Sequence, residues 1–104
     1  MSIQDTIREQ VTNHPVVLYM KGTPQFPQCG FSAAAVQMLQ VCGVKDFFSV
    51  NVLADPEIRQ GIKEYANWPT IPQLYVDGEF IGGADIMREM YESGELQQVL
   101  GKQG

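Results

Sequence analysis

In the stretch "PQFPQCGFSAAAVQ" one cysteine, Cys29, stands ahead of a helix-forming run, and Ser32 occupies the place where a second thiol would complete a disulfide-exchanging pair. An alcohol forms no disulfide and is far less acidic than a thiol, so Ser32 cannot replace the missing sulfur. At a helix N-terminus the unsatisfied N–H groups and the macrodipole favour a thiolate, and Lys21 in the preceding loop adds a positive charge. The plainer alternative is a buried structural cysteine. Flanking Gln28 and Gly30 favour exposure, and with it a reactive sulfur. The other cysteine, Cys42, lies thirteen residues further along the same predicted helix, roughly 19 Å away at 1.5 Å per residue. A disulfide requires Cα atoms within about 7 Å, and the same separation keeps both sulfurs off one iron or zinc ion. Cys42 therefore reads as core filler, or at most as a distant oxidation target. Cys29 can form mixed disulfides with an external thiol, but needs a further thiol to resolve them.

A second cluster is "GGADI". Gly82 and Gly83 permit close backbone approach, a helix starting near Ala84 would offer N–H groups to a carboxylate, and Asp85 could accept from an amine. Taken alone, the two glycines read as a strand-ending turn and Asp85 as a helix cap. Lys21 and Arg59, taken singly, are solvated surface charges. Together these residues outline a cationic place for one carboxylate and a helix terminus for another. A small peptide with a carboxylate at each end, one amine and a thiol fits that description, and glutathione is such a peptide.

The elements that must position these groups follow from patterning. Ile3, Ile7 and Val11 recur at four-residue spacing behind Ser2, which predicts a short amphipathic helix ending near His14-Pro15. "VVLYM", residues 16–20, is apolar without alternation, as in a buried central strand. A helix from Cys29 to Cys42 closes at Gly43, and "FFSVNV", residues 47–52, is a second strand. Asp55 caps a third helix with Pro56 at its first position and Ile58, Ile62 and Ala66 on one face. "QLYVDGEFIGG" contains a tight hairpin around Asp77-Gly78, and two helical segments broken at Ser93-Gly94 close the chain. The order α-β-α-β-α-β-β-α-α predicts a parallel pair with a right-handed crossover plus an antiparallel hairpin. The expected fold class is α/β: a thioredoxin-like, mixed four-stranded sheet flanked by helices. In that arrangement Pro72 of "NWPTIPQLYV" is cis and turns the backbone of Ile71 toward the thiol, where it could pair with an extended peptide.

The 104 residues suit one domain, 1–104, with one core and no linker or repeat. With 44% apolar and 18% charged residues the composition is that of a globular protein. No apolar run approaches the ~20 residues that span a bilayer, so no membrane partner is expected. No basic head followed by an apolar stretch marks a secretion or transit signal. A net charge of −5 disfavours nucleic acid. Two cysteines, one of them a reactive candidate, suit a reducing, cytoplasmic location.

The segments "KGTPQFPQCGFSAAAVQ", "WPTIPQLYVDGEFIGGADI" and "MYESGELQQ" resemble the monothiol glutaredoxins with a CGFS active site, and the similarity runs over nearly the whole chain. The resemblance implies that Lys21 and Arg59 hold the glycyl carboxylate of glutathione, and that Ile71, ahead of Pro72, pairs with its cysteinyl unit. Ala84 and Asp85 would hold its γ-glutamyl end. It makes Cys29 the ligand of a [2Fe–2S] cluster, with Gly30, Phe31 and Ser32 of the same motif around it and Trp68 and Thr70 supporting the proline loop. Several relatives carry a second cysteine where this chain has Ala84, which removes that route to an internal disulfide. A [2Fe–2S] cluster takes four thiolates, so two monomers each bringing one glutathione would complete the set as a homodimer. The family also implies iron–sulfur apoprotein acceptors and BolA-like heterodimer partners. Three readings stay open: a cluster carrier, a glutathione-dependent monothiol oxidoreductase, and an interaction module in which Cys29 is incidental.

Overall fold

The computed structural model describes residues 2–101. Its elements are α1 (Ile3–Asn13), β1 (Val16–Met20), α2 (Gly30–Val41), β2 (Phe48–Asn51), α3 (Pro56–Ala66), β3 (Gln73–Val76), β4 (Glu79–Gly82), α4 (Ala84–Ser93) and α5 (Glu95–Gly101). This is the order that the patterning predicts. The sheet order is β2-β1-β3-β4, with β1 and β2 parallel and the other neighbours antiparallel. The expected mixed, thioredoxin-like sheet is therefore present. β1 is buried along its whole length, which explains an apolar run without alternation.

Because successive strand side chains point to opposite faces, β1 serves two core clusters, one on each face of the sheet, where the chain length alone suggests a single core. Val16, Leu18 and Met20 pack with Ala35, Val36 and Leu39 of α2, Met87 of α4 and Leu96 of α5. Val17 and Tyr19 pack with Ile7 and Val11 of α1 and Ile58 and Ile62 of α3.

Local chemistry sets the boundaries. Ser2 and Asp5 form a capping box on α1. The Asp55 carboxylate accepts from the N–H groups of Glu57 and Ile58 at 3.1 and 3.2 Å. α2 ends in a Schellman motif: Gly43, at φ 90°, donates to Gln40, and Val44 donates to Leu39. Asp77 and Gly78, at φ 52° and 81°, are the two residues between the Val76–Glu79 pair, as the tight hairpin requires. β2 is one residue shorter at each end than the predicted 47–52. At its C-terminal end the Asn51 side chain accepts from the N–H of Leu53, turning the chain, while Val52 still donates to Met20.

α1 and α3 meet at Gly61, where an added Cβ would stand 3.2 Å from Ile3 and Ile7 side-chain carbons. Gly61→Val should therefore push the two helices apart at a cost of about 1–3 kcal/mol, read as a lower urea midpoint with an unchanged m-value.

Candidate functional site: a thiol at the mouth of a cationic groove

Cys29 is the N-cap of α2 rather than its first helical residue. Its backbone is extended, at φ −153° and ψ 136°, so its sulfur stands beside the unpaired N–H groups of the first turn. The thiol is held below its ordinary pKa, first by the backbone N–H of Ser32, then by the N–H of Phe31, the Lys21 charge and the Ser32 hydroxyl; partial burial opposes them. Cys42, the C-cap of the same helix, has the opposite environment: burial pushes its thiol up. It packs beside the α2-side core as expected of filler.

Ser32 is fully buried, and its hydroxyl accepts from the N–H of Lys21 at 3.0 Å. It thereby ties the end of β1 to the start of α2. A hydroxyl accepts and donates at once, so the same group that anchors Lys21 also favours the thiolate.

The loop between β1 and α2 is folded tightly. Gln28 donates to Lys21, while Thr23 and Phe26 exchange backbone hydrogen bonds. Gly22, at φ 93°, leaves no room for a Cβ, which would meet the Phe26 carbonyl oxygen at 2.5 Å and the Gln28 nitrogen at 2.6 Å. Asn51 steadies the turn by accepting from Gly22 at 2.9 Å. Two aromatic rings of this region stand in solvent: Phe26 of the loop is 74% exposed, and Phe31, in the first turn of α2, 64%.

Cys29 opens onto a groove of about 380 Å³, within the range of small-molecule sites. Three stretches of chain and one residue of α3, Lys63, line it. Lys21, Cys29 and Phe31 form the first; Trp68 to Pro72 form the second; Gly83 to Ile86 form the third. The Ile71–Pro72 peptide is cis, as expected from the fold. Gly83 caps α4, and a Cβ there would crowd the Pro72 carbonyl and the Trp68 indole nitrogen, each at 3.2 Å. Ala84 and Asp85 therefore sit in the first turn of α4, where N–H groups are unpaired.

Not every residue singled out in the sequence reaches the groove wall. Gly30 is exposed beside it, Ser32 lies behind it, and Gly82 is buried against Ile86, where φ 153° and a 2.6 Å approach exclude a side chain. Arg59 is half-buried on α3 and does not line the groove; Lys63, one turn later, does. Lys63 was the residue missed. The available signal was its helical spacing, since i and i+4 share one face of α3.

The thiol environments make a direct expectation. Single-cysteine proteins carrying Cys29→Ser or Cys42→Ser, alkylated with iodoacetamide across pH, should differ: the Cys29 rate reaches its plateau at a lower pH than a free thiol, and the Cys42 rate at a higher one. Lys21→Ala should move the Cys29 midpoint upward. Because the folded pKa of Cys29 is lowered, its thiolate also stabilises the fold above the unfolded pKa and that contribution is lost as pH falls through the folded one.

The site has the parts of a known family. A glutaredoxin profile matches residues 16–81. The chain is 60% identical over 94 residues to a monothiol glutaredoxin, ycf64-like, of Synechocystis sp., covering 90% of this chain and 87% of that one. It is 54% identical over 96 residues to glutaredoxin 4 of Escherichia coli K12, covering 92% and 83%. The solution structure of reduced apo GrxS14 from poplar superposes with a TM-score of 0.83 at 55% identity, covering 96% of this chain and 91% of that one. With one thiol at the groove and these relatives on either side of it, the chain belongs to the glutaredoxin family, in its monothiol branch.

Proposed function

We propose that this protein binds glutathione in the groove and, as a glutathione-bridged homodimer, carries a [2Fe–2S] cluster that it hands to acceptor proteins. The observation that carries this reading is a single thiolate-favouring cysteine on a groove lined by Lys21, Lys63 and the first turn of α4. Lys21 and Lys63 supply charge for the glycyl carboxylate, with Arg59 one turn away on α3. The Ile71 backbone pairs with the cysteinyl unit as a short added strand. The first turn of α4 receives the γ-glutamyl carboxylate and Asp85 its ammonium.

Glutathione held this way directs its own thiol toward Cys29. Among the described residues no group of three or more His, Cys, Asp and Glu side chains is gathered for a metal, so one chain offers the cluster one protein thiolate. A second chain and two glutathiones complete the four ligands. The exposed Phe26 and Phe31 rings give the two copies an apolar contact around the sulfur. Half of the ligand set is noncovalently held, which suits cargo that must leave. The same reading places the work in the cytoplasm, with iron–sulfur apoproteins as acceptors and a BolA-like protein as a heterodimer partner.

A second reading is deglutathionylation: the Cys29 thiolate attacks a glutathionyl sulfur, releases the substrate thiol, and is restored by another glutathione. The low thiol pKa favours it as well.

Anaerobic reconstitution with iron, sulfide and glutathione separates the two. Wild type should give a coloured dimer by visible absorption and size exclusion. Cys29→Ser and a glutathione-free sample should both stay colourless and monomeric. Lys63→Glu should weaken colour retention by roughly tenfold, about 1.4 kcal/mol. A colourless wild-type monomer that turns over a glutathionylated peptide would establish the oxidoreductase instead.

A further inference from the structure

Gln73 is fully buried, yet none of the proposed chemistry uses it. It opens β3 directly after Pro72, and every polar atom of its amide is engaged. Nε2 donates to the carbonyls of Trp68 and Thr70 at 3.1 and 3.2 Å, and Oε1 accepts from the Tyr75 hydroxyl at 3.1 Å. Carbonyl oxygens only accept, so the NH₂ must face the loop and the oxygen must face Tyr75. An aliphatic side chain of similar size would fill the space without burying an amide. What the amide adds is a fixed direction for two loop carbonyls.

That direction matters because of peptide geometry. The Thr70 carbonyl and the Ile71 N–H belong to one planar unit, and in a trans peptide they point opposite ways. Holding the Thr70 oxygen inward against Gln73 turns the Ile71 N–H away from the buried amide. Ile71 lies on the groove wall, as do Trp68 and Thr70. Tyr75, itself buried, holds Gln73 in turn.

We propose that Gln73 is a positioning residue: through the Thr70 carbonyl it aims the Ile71 N–H at the ligand, and Tyr75 holds Gln73 in that orientation. The inference rests on glutathione being the ligand of the groove. It assigns a buried residue of the α1/α3 side of the sheet to the recognition of the peptide backbone in the groove.

The test is a titration of ¹⁵N-labelled protein with reduced glutathione, following the Ile71 amide and the indole of Trp68, the chain's only tryptophan. Gln73→Met keeps the volume and removes the hydrogen bonds; Tyr75→Phe removes one hydroxyl. Val11→Ala lowers the stability of the same core from α1, at a residue outside the 68–72 loop and outside its hydrogen-bond network. Glutathione affinity should fall about tenfold in Gln73→Met and about threefold in Tyr75→Phe. The Ile71 amide resonance should already be displaced in both before ligand is added, and Val11→Ala should bind as wild type does at a comparable loss of Tm. Unchanged affinity in both network variants, or a loss in Val11→Ala matching theirs, overturns the positioning role while leaving glutathione as the ligand. If Gln73→Met does not fold, Tyr75→Phe decides alone, and wild-type affinity there overturns the role. A wild-type protein that shows no saturable shift overturns the glutathione reading itself, and this inference with it.

Discussion

The hydrogen bond from the Lys21 N–H to the buried Ser32 hydroxyl, 3.0 Å long, joins the end of the central strand to the first turn of α2. The groove depends on that junction. It places the cation and the thiol beside each other and keeps the start of the helix at the end of β1, where its unpaired N–H groups are available to Cys29. A cysteine in place of Ser32 would offer a resolving thiol, but a thiol is a weaker hydrogen-bonding group than a hydroxyl. At this position the chain has a structural tie in place of a second sulfur.

Around that junction the site is assembled from segments distant in sequence. The loop after β1 is closed on itself by Gly22 and steadied by Asn51 from the end of β2. The segment before β3 is held from inside by Gln73. The start of α4 comes close because Gly83 has no side chain to keep it from Pro72 and Trp68. Each stretch offers mainly backbone groups or a terminal charge, which suits recognition of a small peptide.

The two thiols show how environment divides identical chemistry. Both flank α2, one at each end. At the N-terminal end, donors and a lysine favour the anion; at the C-terminal end, burial opposes it. The helix also separates them by its own length, so one thiolate-favouring sulfur faces the groove with no internal partner, and any further thiol has to come from a ligand or another chain. Phe26, three residues before that sulfur, and Phe31, two residues after it, leave exposed apolar surface on a protein of net charge −5.

Much of this was legible in the sequence because it rests on local rules. Apolar runs, caps and turn residues determined the order of elements: the unbroken Val16–Met20 run, Asp55-Pro56, Asp77-Gly78 and Gly43 each act within a few residues. Cys29 ahead of its helix, and its separation from Cys42, likewise follow from covalent geometry. Tertiary structure decided which groups share the groove. Arg59 and Lys63 are one turn apart on α3, and only the docking of that helix brings Lys63 to the wall. The roles of Ser32, Asn51 and Gln73 were equally invisible, because a buried polar side chain is explained by the backbone groups it satisfies, and those lie on other segments. Sequence alone determined the elements and the reactive atom; packing alone decided the partners, since contact between distant segments is a property of the folded chain.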